Sequence, residues 1–289
     1  MAAEKEKAGF PVIPSSREDD LHNLDLARSA DLVLFVAGNQ FMVMEDLLHA
    51  FQREHPDITR IFYETLPPGL ELKQILAGGA VFRDEVIDVL ADVYASVTEG
   101  AMDRLEKGGF ISKEDYFLYL HNRIVLMVPE DNPAQIASVS DLGGEGVRIS
   151  QPNPEYEDIA HYIVEMYRQA GGQALVDRIM EQKRADGTAI LTIVHHRETP
   201  LRIAKRTVDV GPVWATEIIH ARQTGLAADV VEPGEHLDQR DRINYFICRL
   251  RNAPHPGNAE KFLDFIKSAR AQGIYEAHGF VPHFSASDS

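Results

Sequence analysis

The sequence predicts an α/β protein built on parallel sheets, and three observations carry that expectation. Leu32-Val33-Leu34-Phe35-Val36-Ala37 is a continuous apolar run, the pattern of a strand covered on both faces. Strand-like and helix-like segments then alternate along most of the 289 residues. Helix-opening signals follow several of the strand-like runs, most clearly Asn153-Pro154-Glu155 and Thr199-Pro200.

Residues 1–30 are polar and carry Pro11, Pro14, Ser15 and Ser16, so an N-terminal arm with a short helix at 21–27 is expected. After the 32–37 strand, Gly38-Asn39 breaks the run and a helix follows, with Phe41, Met44, Leu47, Leu48 and Phe51 on one side. Residues 58–63 read as the next strand, 68–76 as a helix, 86–91 as a third strand and 96–106 as its helix. Strand, helix and strand at this spacing imply parallel pairing with right-handed crossovers. A buried strand is expected at 124–128. A second α/β set follows, with strands at 147–150, 190–194 and 208–213 and helices at 153–170, 199–206 and 216–224. A strand at 243–250 leads to the last helix.

Composition removes several classes of function. The net charge is -16, from 29 basic and 45 acidic residues. That balance is wrong for nucleic acid and for anionic membrane surfaces, both of which attract basic patches. An anionic ligand stays open, because a site is set by local dipoles rather than total charge. No run approaches the ~20 apolar residues of a membrane helix. Cys248 stands alone, so no internal disulfide can form, and Tyr245-Phe246-Ile247-Cys248 reads as buried strand. Neither a Gly-x-Ser-x-Gly elbow nor a phosphate loop nor a dinucleotide glycine fingerprint occurs, so no enzyme and no cofactor are expected.

Candidate binding chemistry gathers at the strand-to-helix junctions. Gly38-Asn39-Gln40, Pro67-Pro68-Gly69, Asn153-Pro154-Glu155 and Thr199-Pro200 each open a helix whose first N–H groups and positive dipole end would face the carboxyl edge of a parallel sheet. Anions suit that edge, although every helix needs capping whatever its function. His195-His196-Arg197 lies beside one such start and could bind ligand oxygens; a solvated, self-paired loop is the plainer alternative. Adjacent histidines are poor partners on one metal, and no His-Glu-x-x-His helix accompanies them, so no metal site is assigned. Trp214 ends a strand and either packs or stacks on a ligand. Tyr63, Glu64 and Asp92 are placed on the same edge; Phe41, Met42 and Met44 are placed in the core.

The closing stretch narrows the field. Asn258-Ala259-Glu260 opens a helix carrying Phe262, Leu263, Phe265 and Ile266, followed by Gly273, Tyr275, Gly279, Phe280 and Pro282. This arrangement resembles the C-terminal signature of type II periplasmic solute-binding proteins of ABC importers, and residues 31–283 are most similar to the molybdate-binding group. The resemblance implies two lobes, each a mainly parallel sheet flanked by helices, joined by a two-strand hinge. Lobe 1 would comprise 31–122 and 243–289, lobe 2 would comprise 123–242, and the ligand would be gripped between them by hinge closure.

Asn39 falls where that family places an oxyanion-binding serine, with Gln40 beside it, and Thr65 to Gly69 falls on a serine-rich turn, with Pro68 inside it. Ser150 to Asn153, with Glu155, matches an amide-donating loop of lobe 2; His195 to Thr199 matches the next, and Trp214 takes a tyrosine's place. Few hydroxyls remain, and Thr65 alone keeps one in its turn. The resemblance implies a monomeric, exported receptor that captures a molybdate-like oxyanion or small organic anion for a membrane permease. The start of the chain has no apolar leader segment, so a mature form with its signal removed is expected. A metal-ion receptor using His195, His196, Glu64 or Tyr63 is the alternative, as is an input protein for a signalling system.

Overall fold

A computed structural model describes residues 9–155, 157, 159–193 and 198–284. Two compact units divide the chain: unit 1 holds residues 1–121, 244–277 and 282–289, and unit 2 holds 122–243 with 278–281. Unit 1 is built on a seven-stranded and a three-stranded sheet and unit 2 on a three-stranded and a two-stranded sheet, with helices packed around them.

The chain starts in unit 1 with β1 (Val12–Ile13), β2 (Leu21–His22) and β3 (Leu32–Phe35), the first two separated and followed by short 3-10 turns. Next come α1 (Phe41–Glu54), β4 (Ile61–Glu64), α2 (Pro68–Ala77), β5 (Ala80–Phe82), β6 (Glu85–Ile87), β7 (Val93–Ser96), α3 (Glu99–Lys107) and β8 (Tyr116–His121). Pro68 opens α2 at its first position, and Gly78 closes it in the left-handed region at φ 81° with its N–H on the Gln74 carbonyl.

Unit 2 contributes β9 (Ile124–Pro129), β10 (Ile149–Gln151), α4 (Ile159–Asp177), β11 (Ala189–Leu191), α5 (Glu198–Ala204), β12 (Gly211–Trp214), α6 (Ala215–Gln223) and β13 (Ala228–Val231). The chain returns to unit 1 for β14 (Asn244–Arg249), α7 (Pro256–Lys267) and α8 (Ala269–Ala277), and β15 (Val281–Pro282) ends the described elements.

The main sheet of unit 1 runs β15-β8-β14-β7-β3-β4-β2. At its centre β3 pairs in parallel with both β4 and β7, placing Phe35 level with Glu64 and Tyr94. β14 is antiparallel to β7 and to β8. One face buries Val33, Phe35, Phe62, Leu72, Ile75, Tyr94, Met102 and Leu105 beneath α2 and α3. On the other, Phe51 of α1 meets Phe262 and Phe265 of α7 at ring separations of 5.2 and 5.5 Å. In unit 2, β10 and β11 pair in parallel, whereas β9 lies antiparallel between β12 and β13. Val125, Met127, Val208, Val213, Ile203 and Ile218 form that unit's core.

Several expectations change. Residues 9–30, expected as an arm, supply β1 and β2, which pair with β5 and β4, and the 21–27 segment is strand and 3-10 turn rather than helix. The third parallel strand is β7, not 86–91. That apolar run belongs partly to the β5–β6 hairpin, whose residues Ala80, Phe82 and Ile87 fill a small core of their own with Ile13, Leu21 and Leu66. Asp92 therefore precedes a strand instead of ending one. It lies at the amino edge, buried, and accepts hydrogen bonds from the Val33 N–H at 2.8 Å and the His255 N–H at 2.6 Å, with His255 Nδ1 3.0 Å away. β8 and β13 were not expected at all.

Candidate oxyanion-type binding edges

In unit 1 the carboxyl ends of β7, β3 and β4 lie side by side, so the turns that follow them adjoin. The turn after β3 is a 3-10 segment, Gly38–Gln40, running into α1. It approaches the turn after β4 closely: a Cβ on Gly38 would stand 2.9 Å from the Thr65 carbonyl oxygen. β7 ends in Ser96 and Thr98 holds the N-cap position of the helix that follows, a pair of hydroxyl residues that the expected strand at 86–91 and helix at 96–106 do not reveal.

The expected residues of this unit have distinct positions. Asn39 is buried and its Nδ2 donates to the Tyr245 hydroxyl. Gln40 is fully buried, and its carboxamide oxygen accepts from the hydroxyls of Tyr119 at 2.9 Å and Tyr275 at 3.2 Å. Gln40 thus ties the 3-10 turn to the tyrosine cluster of the core. Thr65 is buried, its N–H bonded to the Asp20 carbonyl at 2.9 Å and its hydroxyl 3.0 Å from His22 Nε2. Burial depresses the His22 pKa, which favours a neutral ring. A neutral ring protonated on Nε2 donates to Thr65 and leaves the threonine its own proton to give. Pro68 accepts from the Tyr94 hydroxyl at 2.8 Å, and Gly69 is exposed at the start of α2. Tyr63 stacks on His22 with ring centroids 4.1 Å apart.

Beneath this edge lie two carboxyls with almost no charge to offer. Glu64 is fully buried and pushed up to about 8 by desolvation, with Gln74 Nε2 donating to it at 3.0 Å. Glu71, also fully buried, is raised well above the carboxylate range by desolvation and by Glu64, and it accepts the Leu66 N–H at 3.1 Å. Two neutral acids here brace the Thr65–Pro68 turn without opposing an anion electrostatically.

Unit 2 repeats the theme. β10 and β11 end together, Gln151 level with Leu191, and β10 bridges in parallel to Val210 just before β12. Asn153 is buried, and its N–H lies 3.1 Å from Thr192 Oγ1, which in turn donates to Glu157 Oε1. Its Oδ1 accepts the Glu155 N–H at 3.0 Å in an Asx turn, so Glu155 frames the turn while its side chain is exposed. Thr199 sits in α5 with its hydroxyl 2.8 Å from Ser150 Oγ. Arg202 Nη1 donates to that serine oxygen at 3.1 Å. The Ser150–Thr199 bond can run in either direction, and with Ser150 as its donor Thr199 keeps a proton to give. Trp214 is buried at the N-cap of α6, its ring 6.2 Å from that of Tyr162. His195, His196 and Arg197 lie outside the described residues.

The two units therefore share one device. A buried threonine hydroxyl in each is hydrogen-bonded from behind, Thr65 to His22 and Thr199 to Ser150, and with His22 protonated on Nε2 and Ser150 as donor each threonine has its own proton for an acceptor-rich ligand. Glu157 and Thr192 were missed in the sequence, because nothing in a lone Glu or Thr marks it as a turn brace. Among the described residues no group of three or more His, Cys, Asp or Glu is placed to hold a metal ion, and no helix is long and apolar enough to cross a membrane.

Comparison with known proteins agrees with this architecture. The chain is 23% identical over 257 residues to a protein of Bacillus subtilis (strain 168) named as an ABC transporter substrate-binding lipoprotein, YvgL, covering 89% of this chain and 88% of the relative. Its fold is similar to that of the periplasmic molybdate-binding protein of Azotobacter vinelandii (TM-score 0.65, 20% identity, 86% of this chain and 98% of the other). It is likewise similar to the sulfate-binding protein SubI of Mycobacterium tuberculosis H37Rv (TM-score 0.69, 18% identity, 89% and 88%). At these identities the two structures establish the fold, a periplasmic binding protein architecture. Residues 32–281 match a single family over most of the chain, and the protein belongs to it: the bacterial extracellular solute-binding proteins.

Proposed function

We propose that this protein captures a small oxyanion of the molybdate or sulfate kind, or a small organic anion, outside the cytoplasm and delivers it to the permease of an ABC importer. The relatives named for molybdate, sulfate and ABC transport support the class of ligand and partner. The observation that carries the reading is the pair of buried threonines hydrogen-bonded from behind, Thr65 to His22 in unit 1 and Thr199 to Ser150 in unit 2. Oxyanions held without a neutralising cation need several neutral donors, and hydroxyls and helix-start N–H groups supply them.

In unit 1 the ligand-contacting set comprises Asn39, Thr65, the start of α2 at Pro68 and Gly69, and the hydroxyls of Ser96 and Thr98; Gln40 positions its turn. In unit 2 it comprises Asn153, Thr199 and Trp214, framed by Glu155, together with His195, His196 and Arg197. The neutral state of Glu64 and Glu71 supports an anion, since two carboxylates at that depth would repel one.

Calorimetric and thermal titration with molybdate, tungstate, sulfate and small carboxylates tests the proposal. A fitting anion at 100-fold excess over its dissociation constant adds about 2.7 kcal/mol of stability. Thr65→Val and Thr199→Val should each weaken that anion about tenfold or more. A panel in which no anion shifts the melting temperature rejects the anion assignment.

A further inference from the structure

Away from these edges, unit 1 holds a pair of histidines placed nitrogen to nitrogen. His121 closes β8, His283 follows β15, and His121 Nε2 lies 3.0 Å from His283 Nδ1. The opposite ring nitrogen of His121, Nδ1, is 2.8 Å from the Asn244 carboxamide oxygen. A carbonyl oxygen can only accept, so the His121 proton sits on Nδ1 and its Nε2 presents a lone pair. The ring is thereby oriented and its tautomer set from behind, which is how metal-ligating histidines are held. We propose that His121 and His283 form a binding site for one borderline transition-metal ion, Zn2+ or Ni2+ in chemical class, with water completing the coordination shell.

The dimensions fit such an ion. Two imidazole nitrogens bound at about 2.0–2.1 Å lie about 2.9 Å apart at a right angle and about 3.3 Å apart at the tetrahedral angle. The observed 3.0 Å falls between these, with ring centroids 5.2 Å apart and planes inclined at 54°. Ion binding requires His283 to carry its proton on Nε2, so that both facing nitrogens offer lone pairs; the shift moves a proton between the two nitrogens of one neutral ring through solvent. His283 is exposed and His121 half-buried, so an ion and its waters have access. Two protein ligands make a modest site, weaker than the four-ligand structural class.

Its position gives the ion a consequence. His121 is the last residue before the chain leaves unit 1, Asn244 is the first on its return, and His283 follows the final return at Pro282. One ion would tie these three stretches together within unit 1. The site is independent of the anion-binding proposal and can fail without it.

The test uses the purified full chain, titrated with Ni2+ and with Zn2+ by calorimetry. Wild type should bind one ion per chain, and His121→Asn and His283→Asn should each lose at least tenfold in affinity. Asn244→Ala, which removes only the orienting oxygen, should weaken binding by about 10-fold or more. In NMR spectra of wild type, paramagnetic Ni2+ should broaden the His121 and His283 ring signals first, a readout that needs no variant to fold. Wild type that binds neither ion, affinity unchanged in both histidine variants, or binding lost only in a His195→Ala/His196→Ala double variant overturns the proposal.

Discussion

The α-carbon of Gly38 faces the carbonyl oxygen of Thr65 so closely that a methyl group there would stand 2.9 Å from that oxygen and 3.2 Å from the Leu66 carbonyl oxygen. Backbone on both sides leaves little to give. Gly38→Ala should therefore destabilise unit 1 by about 1–3 kcal/mol, read as a lower midpoint in urea. It should also weaken any ligand held by the turns after β3 and β4, because relief requires those turns to part.

In unit 2 an equivalent crowding involves a side chain. A Cβ on Gly211 would fall 2.3 Å from Thr199 Cγ2, with Ser150 Cβ at 3.3 Å. Gly211→Ala should destabilise strongly, and adding Thr199→Ser, which deletes the offending methyl but keeps the hydroxyl, should recover part of the loss. A double-mutant cycle with coupling on the order of 1 kcal/mol is expected; strict additivity would show that the clash is relieved elsewhere.

Stability should fall as pH rises through the neutral range because of Glu64. Its carboxyl is raised from 4.5 to about 8 by burial, so the folded protein binds a proton that the unfolded chain has released. The stabilisation is complete below pH 4.5 and is lost progressively up to about pH 8. Glu71, raised by the same burial, acts in the same direction. Glu64→Gln cannot ionise and should flatten the decline between pH 5 and 8; each unit of upward shift corresponds to about 1.4 kcal/mol. Parallel pH profiles for wild type and variant would refute the assignment.

Asp92 answers two backbone N–H groups and one imidazole, from β3 and from the turn before α7. Asp92→Ala should cost on the order of 3 kcal/mol, since each buried donor left unpaired costs about 1–3 kcal/mol. Anion affinity should not change, because this residue lies at the amino edge of the sheet. An affinity loss as large as that of Thr65→Val would contradict that placement.

What the sequence revealed depended on whether the relevant physics was local. The 32–37 run announced β3 because a strand covered on both faces needs unbroken apolar residues, and Pro68 announced α2 because its ring suits a first helical turn. The 86–91 run was misread because Ile87 fills a satellite core under a hairpin, and burial there looks the same as burial in a central strand. β7 itself, Val-Tyr-Ala-Ser, is short and ends in a hydroxyl, so Ser96 and Thr98 were absorbed into a helix. Capping patterns exposed the helix start at Pro68 and the turns around Asn39 and Thr199, whereas Asn153-Pro154-Glu155, expected to open a helix over 153–170, is an Asx turn and α4 begins only at Ile159. They could not show that the Gln40 oxygen meets tyrosines 79 and 235 positions away, or that Arg202 reaches back to Ser150.

The placement of β14 between β7 and β8 has a bearing on biosynthesis. A ribosome delivers both neighbours more than a hundred residues before Asn244 emerges, so the nascent sheet waits with a gap in its middle. The intervening 122–243 stretch can reach its own compact form meanwhile. Truncation before residue 250 should thus leave unit 2 protease-resistant and the amino-terminal portion digestible. Maturation of this protein would then be gated by the arrival of its last sixth rather than by its first strands.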